Sequence, residues 1–347
     1  MMLYNALKLR ALVWLLFVII TTFAHAASSS SAPDEILLKN GSRILGEVKG
    51  SRDGVVTIKT DFAGTIDVDM KQVKSVITAD PVVMLMTDDS VQRDSTLVIQ
   101  DEQLVLSDGA QTLPVEELLI VNPEPWELGE GYRWTGSIGF ALSSQRGNTD
   151  TDDLNYKLDS QWRSKWDRYT LQANGEMDEA EGTKTADNWQ VRGKYDYFLE
   201  DPNYVGVLTM AEKDKFQDLD IRYLIGPYLG RHFYDEPIFT LTAELGFSYV
   251  TEEYNIADDD EYGASNWQLY TSSNYLGGDS KLYFDQHGIW NLEDTSDVIV
   301  NSTLGLSFPL LWNIEGAAEL LFDYDSGAVE NVDDMDHTYN FRLGYKW

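Results

Sequence analysis

Residues 338–347 read TYNFRLGYKW. Tyr339, Phe341, Leu343, Tyr345 and Trp347 alternate with Asn340, Arg342, Gly344 and Lys346. In an extended chain, successive side chains point to opposite faces. One face of this strand is therefore wholly apolar and the other polar or cationic. Terminal residues of soluble domains ordinarily fray, yet here the most regular strand pattern runs to the last residue given. A closed β-barrel would explain this, because lipid tolerates no open sheet edge and the last strand must pair with the first.

Working back from there, the same pattern recurs. WTGSIGFALSS (134–144), DLNYKLDSQW (153–162), NWQVRGKYDYFL (188–199), IFTLTAELGFSYV (238–250) and IEGAAELLFDY (314–324) each set large apolar groups against small or charged ones. About twelve such segments are countable, each near the ~10 residues of a tilted membrane strand. Three are weaker: YVGVLTMAE (204–212) could face either way, SNWQLYTSSNYL (265–276) is rather polar, and IRYLIGPYLGRHF (221–233) contains Pro227, which removes one ladder hydrogen bond. Long polar connections such as QRGNTDTD, DEAEGTKTAD and TEEYNIADDDEYG alternate with short ones such as EDPN, YDEP and GGD. That alternation is expected of a membrane barrel with short periplasmic turns and longer external loops. A soluble β-sandwich also alternates. However, Trp134, Trp162, Trp189, Tyr197, Tyr249, Tyr324 and Trp347 fall near strand ends, as interfacial aromatic girdles do.

The rest of the chain has a different grammar. Lys8 and Arg10 precede the apolar run ALVWLLFVII (11–20), and Ala24 and Ala26 frame an A-x-A cleavage site. Residues 1–26 are thus expected to be a secretory signal peptide, with 27–34 a leader. Residues 35–123 are β-rich and short-stranded. EILLKNGSRILGEVKGSRDGVVTIKT (35–60) reads as strands separated by Asn-Gly and Asp-Gly turns, with an echo in VVMLMTDDSVQRDSTLVIQDEQLVLSDG (82–109). The expectation is an SH3-like or sandwich-like periplasmic module of two degenerate repeats, 35–79 and 82–123. A linker over 124–131 and a barrel over 132–347 follow. The fold class is all-β, a transmembrane antiparallel barrel of about twelve strands preceded by that module.

The chain has 58 acidic and 26 basic residues, a net charge of −32, which argues against nucleic acid as a partner and suits counter-ions. It has no cysteine, which removes disulfides and thiolate metal sites. An enzyme is not expected. Apart from His25 in the expected signal peptide, the histidines are His232, His287 and His337, and no serine nucleophile accompanies them. Asp285 shares a face with His287 and is placed to orient it, but a structural, lumen-facing histidine is the favoured reading. Asp150, Asp152 and Asp153 in one loop and Asp258, Asp259 and Asp260 in another are candidate ligands for divalent cations. Neither loop has EF-hand spacing, and no other cofactor is implied. If the apolar faces point outward, Lys157, Arg192, Lys194, Arg222, Glu244, Glu315, Glu319 and Arg342 point into the lumen. They would either select ions or pair and fill it.

Several stretches taken together resemble the salt-induced outer membrane protein family, a bacterial family of unknown function. They are GNT (147–149), FQDLDIRY (216–223), GPYLGRHF (226–233), ELGFSYVTEEY (244–254) and the final YNFRLGYKW (339–347). The resemblance covers about 132–347 and implies an outer-membrane barrel of a Gram-negative envelope linked to ionic stress. It implies no catalytic residues. By resemblance to outer-membrane proteins as a class, Tyr339, Phe341, Leu343, Tyr345 and Trp347 form the signal read by the barrel-assembly machinery. Expected partners are the outer membrane and its lipopolysaccharide, that machinery, and a periplasmic partner of the N-terminal module. Two functions remain open: a narrow passive solute or ion channel, and a non-conducting structural envelope protein whose acidic loops bind cations.

Overall fold

The computed structural model describes residues 32–105, 112–145, 151–236, 238–277, 280–327 and 334–347. The expected signal peptide, with Ala24 and Ala26, and the candidate ligand Asp150 lie outside the described residues. Two compact units divide at Pro123 and Glu124.

The first unit carries eleven strands: β1 (Asp34–Leu38), β2 (Arg43–Arg52), β3 (Val55–Thr60), β4 (Gly64–Asp69), β5 (Val73–Ile77), β6 (Val82–Met86), β7 (Val91–Ser95), β8 (Val98–Gln100), β9 (Gln103–Val105), β10 (Thr112–Pro114) and β11 (Leu118–Val121). All belong to one curled sheet, in the order β10-β9-β8-β5-β1-β2-β11-β6-β7, with β3 between β2 and β4. Its two halves repeat the same hydrogen bonds. Leu38 N donates to Ser42 O and Lys39 N to Gln72 O; Met86 N donates to Ser90 O and Thr87 N to Glu117 O. Ser42 N donates to the Asn40 side chain, as Ser90 N does to that of Asp88. A short 3-10 turn, Met70–Gln72 or Val115–Glu117, precedes the last strand of each half.

The halves exchange strands. β2 of the first half pairs β11 of the second at Ser51↔Val121, and β8 of the second pairs β5 of the first at Ile99↔Val76. They are therefore not two separate small barrels or sandwiches. They share one core, in which Ile36, Val56, Val76, Met84, Leu104 and Val121 are fully buried. Sharing follows from size, since a unit of ~45 residues buries too little apolar surface to be stable alone.

The second unit begins with the stretch expected to be a linker. Pro125–Leu128 forms a 3-10 turn with a capping box between Glu124 and Glu127, closed by Gly129 at φ 81°. Arg133 and Arg163 lie 6.0 and 5.9 Å from the Trp126 ring, which ties this turn to the barrel rim.

Twelve strands follow: β12 (Arg133–Gln145), β13 (Thr151–Arg163), β14 (Asp167–Ala180), β15 (Thr183–Phe198), β16 (Asn203–Asp214), β17 (Leu219–Asp235), β18 (Phe239–Tyr254), β19 (Asp260–Ser273), β20 (Lys281–Asn291), β21 (Val298–Pro309), β22 (Ile314–Asp325) and β23 (Met335–Lys346). Each pairs antiparallel with the next, and β23 returns to β12 to close the barrel. The seam runs from Ser137↔Lys346 to Phe140↔Leu343. It is extended by Gly136 N donating to Trp347 O at 3.2 Å and Trp347 N to Gly136 O at 3.0 Å.

Alternation sets the two faces. On β18, Leu245, Phe247 and Tyr249 are 60%, 64% and 52% exposed, whereas the intervening Ser248 and the following Val250 are 7% and 0% exposed. Pro227, which has no N–H to donate, sits in a gap of the β17–β18 ladder between Ile225↔Tyr249 and Tyr228↔Gly246. The strands run longer than the sequence suggests. DEAEGTKTAD is no long loop: β14 and β15 extend through it to a turn at Glu181 and Gly182, both at positive φ.

Candidate functional site

The barrel has a near end, which carries Arg133 and Trp347, and a far end, which carries the turns after β14, β16, β18 and β20. Its interior is packed in layers. Toward the near end, Arg168 Nε binds Asp196 Oδ2 at 2.6 Å, and Tyr228 donates to the same carboxylate. The Arg163 and Arg168 guanidinium groups lie 4.4 and 5.7 Å from the Phe198 ring. His232 Nδ1 meets Thr242 Oγ1 at 2.9 Å, with its ring 5.0 Å from Tyr204. Glu315 pairs with Lys346 close to the seam.

The middle layer is bridged from wall to wall. Lys194 on β15 reaches Glu244 on β18 at 2.5 Å, across β16 and β17; Tyr204 OH donates to that carboxylate at 2.7 Å. Lys157 on β13 reaches Glu319 on β22 at 3.6 Å, and Glu319 also accepts from Arg342 and Tyr283. Farther out, the Arg222 guanidinium holds Glu252 at 2.5 Å, Glu212 at 3.5 Å and Asp325 at 3.7 Å. Tyr262 and Tyr254 donate to Glu252 at 2.9 and 2.6 Å.

All eight charges expected in the lumen therefore do face it. Seven are engaged in ion pairs: Lys157, Lys194, Arg222, Glu244, Glu315, Glu319 and Arg342. Arg192 is the exception among them. It is 6% exposed and makes no ion pair with any described residue, and its Nε has no hydrogen-bond partner.

Sequence reasoning missed an apolar interior. Tyr204, Leu208, Met210, Leu224, Tyr228, Val250, Tyr262, Ile289 and Ile299 form a buried cluster inside the barrel, against the walls of β16 to β21. The signal was present in YVGVLTMAE, where both faces are apolar because one meets lipid and the other this core. A cavity of about 520 Å³ lies on the other side of the lumen, along β12–β16 and β20–β23. Glu176, Glu212, Asp214, Asp323, Asp325 and Asp336 are among its walls, and Asp159, Gln172, Arg192, Asp285 and His287 line it deeper in.

The remaining candidates do not assemble into a site. Asp285 accepts from Gln268 Nε2 at 2.9 Å, and His287 Nε2 has no hydrogen-bond partner, so Asp285 does not orient His287 through that nitrogen. Asp152 and Asp153 are consecutive on β13 and point to opposite faces, so they cannot converge on one ion. Asp259 accepts from Tyr254 N and Asp260 from Glu261 N. Among the described residues no three His, Asp or Glu side chains, Asp258 included, are grouped to hold a metal. Tyr339, Phe341, Leu343 and Tyr345 face outward, 70%, 81%, 63% and 49% exposed.

Solved structures similar to this chain include a porin, an outer membrane channel and the translocator domain of an autotransporter. The NanC porin is 13% identical, with 61% of this chain and 98% of that one covered and a TM-score of 0.40. The outer membrane channel DcaP of Acinetobacter baumannii is 8% identical, covering 94% and 100%, at 0.32. The translocator domain of the autotransporter NalP from Neisseria meningitidis is 10% identical, covering 63% and 89%, at 0.35. At these TM-scores the functional reading rests on the chain's own residues. No curated protein matches. The fold is a closed, antiparallel β-barrel of twelve strands. One family profile, described as a protein of unknown function, DUF481, matches residues 138–347, more than half of the chain. The chain belongs to the DUF481 family.

Proposed function

We propose that this chain is an outer-membrane envelope protein whose lumen is closed to free diffusion and open only as a blind cavity at the outer, far end. The observation that carries this reading is the pairing of inward charges across the lumen, from Lys194–Glu244 to Arg222–Asp325. Eight-stranded barrels are filled by side chains and sixteen-stranded ones conduct. Here the lumen of twelve strands is filled by apolar packing against β16 to β21 and crossed by ion pairs such as Arg222–Asp325. The near end, with its short turns, faces the periplasm in this reading, and the N-terminal module serves there as a docking unit. The use in ionic stress rests on the family resemblance and on the charge of −32. A liposome-swelling assay tests the reading. Vesicles holding the refolded protein should swell in small sugars no faster than empty ones, and swelling at a porin's rate would overturn it.

A narrow solute or ion channel is the second reading. It is favoured by the depth of the cavity, which reaches Arg192 in the barrel interior. In that version, rearrangement of the Arg222 ion pairs opens the path, and their removal should raise conductance.

A further inference from the structure

The deep part of the cavity holds charges that the ion-pair layers leave over. Arg192 comes from β15 and Asp285 from β20, with four strands between them, so they approach from opposite walls. Asp159 lies on β13, two strands from Arg192, with Gln172 between them in the registers Gln172↔Arg192 and Gln172↔Asp159. Asp285 accepts from the Gln268 amide and Asp159 from the Gln172 amide, each at 2.9 Å. Neither carboxylate pairs with a base among the described residues. Glu244 and Glu212, the other carboxylates near Arg192, are occupied, the first by Lys194 and Tyr204 and the second by Arg222 and Gln190.

A buried guanidinium without an ion pair is costly unless something completes it. Arg192 is 6% exposed and its Nε is orphaned, as is Nε2 of His287 beside it. A planar guanidinium suits a carboxylate, which it can bind through two parallel hydrogen bonds. A simple anion, however, has to pass the outer part of the cavity, where carboxylates outnumber cations. Of the two cations there, Lys213 is held by Asp220, and Arg222 by Glu252 and Glu212. That field repels anions and attracts cations. A small molecule carrying both charges satisfies each observation: its carboxylate meets Arg192, and its ammonium meets Asp285 and Asp159.

We propose that the floor of the lumen cavity is a binding site for a small zwitterion of the amino-acid class, with Arg192 as the carboxylate receptor and Asp285 and Asp159 as the ammonium receptors. The site deepens the reading of the lumen as a blind cavity, and it survives if the lumen proves to conduct.

Isothermal titration of the full chain, refolded in detergent, tests it with three probes built on the same four-carbon chain: γ-aminobutyrate, butyrate and butylammonium. Saturable binding of γ-aminobutyrate is expected, with both half-charged probes at least about tenfold weaker. Arg192→Gln should abolish binding and Asp285→Asn should weaken it by about tenfold. Arg192→Lys, which keeps the charge but loses the fork, should retain part of it. Retained heat-modifiable gel mobility reports that each variant is folded. Equal binding of butyrate would make this a plain anion site, and equal binding of butylammonium would reduce it to the acidic mouth; either overturns the proposal. So does binding unchanged in Arg192→Gln, or no binding at all. Bilayer current measured on the same preparation separates the two readings. Current with binding removes the closed lumen and keeps the site, whereas silence without binding keeps the closed lumen and removes the site.

Discussion

Arg222 on β17 and Asp325 on β22 meet inside the barrel at 3.7 Å, with four strands of wall between them on one side. The same guanidinium holds Glu252 and Glu212, so one side chain ties three carboxylates together. Arg222→Ala should therefore destabilise the barrel by about 3–5 kcal/mol, because it leaves Glu252 buried and unpaired. The double variant Arg222→Met, Glu252→Leu should cost clearly less than Arg222→Ala. Urea unfolding in lipid measures both. A double variant worse than the single one would show that the pair itself, and not relief of an orphaned charge, sets the cost.

The two faces of the wall should respond differently. Leu224 is 2% exposed and packs inside, and Leu224→Ala should cost about 2–5 kcal/mol as a core truncation does. Leu245 is 60% exposed on the outer face, where Leu245→Arg should cost about 2–4 kcal/mol in lipid. In detergent micelles, which adapt around a charge, the second penalty should shrink while the first persists. Equal behaviour in the two media would contradict the assigned faces.

Trp347 closes the seam through two backbone hydrogen bonds to Gly136 and an edge contact with Trp134 at 5.4 Å. The β12–β23 ladder is short, so loss of Trp347 should matter more than its position suggests. Its removal gives up about 0.5–1.5 kcal/mol for the ring pair and a similar amount for each hydrogen bond. A lower urea midpoint and slower refolding into vesicles are expected. Refolding at an unchanged rate would mean that the seam forms without it.

In the N-terminal module, Asn40 and Asp88 occupy matching turns and both accept from the backbone N–H two residues on. Ser90 donates to the Asp88 carboxylate through its hydroxyl and its N–H, which holds that group below its ordinary value of 3.8. With the folded value depressed, the turn's contribution is present above the unfolded value and is lost as pH falls through the folded one. Asp88→Asn, which installs the residue of the sister turn, should keep the turn and remove this acid dependence. An NMR titration of Asp88 that centres at the ordinary value would contradict the assignment.

The barrel was legible because lipid imposes a strict rule: the middle of a strand such as β18 cannot carry charge outward, so its alternation survives in the sequence. The seam was legible for the same reason, in Tyr339 to Trp347. The N-terminal repeat was visible in its turns, Asn40-Gly41 and Asp88-Asp89. The exchange of β2 and β8 was not, since each half alone satisfies the pattern. The lumen was half-legible. Which residues face inward follows from parity, as for Lys194 and Glu244, but their meeting depends on strand stagger around the barrel, which parity does not encode. For the same reason Arg192 looks in sequence like any other inward cation, and only the structure shows that it makes no ion pair with a described residue. The two-residue turn at Glu181 and Gly182 was masked by the polar residues of the long far-end strands.

The most direct test of the closed lumen is single-channel recording of the refolded chain in a planar bilayer, across a salt gradient, beside the Arg222→Ala variant. Insertion without current steps in the natural chain, with steps appearing in the variant, is the expected result. Discrete steps and a charge-biased reversal potential in the natural chain would contradict the closed barrel and establish the lumen as a selective pore.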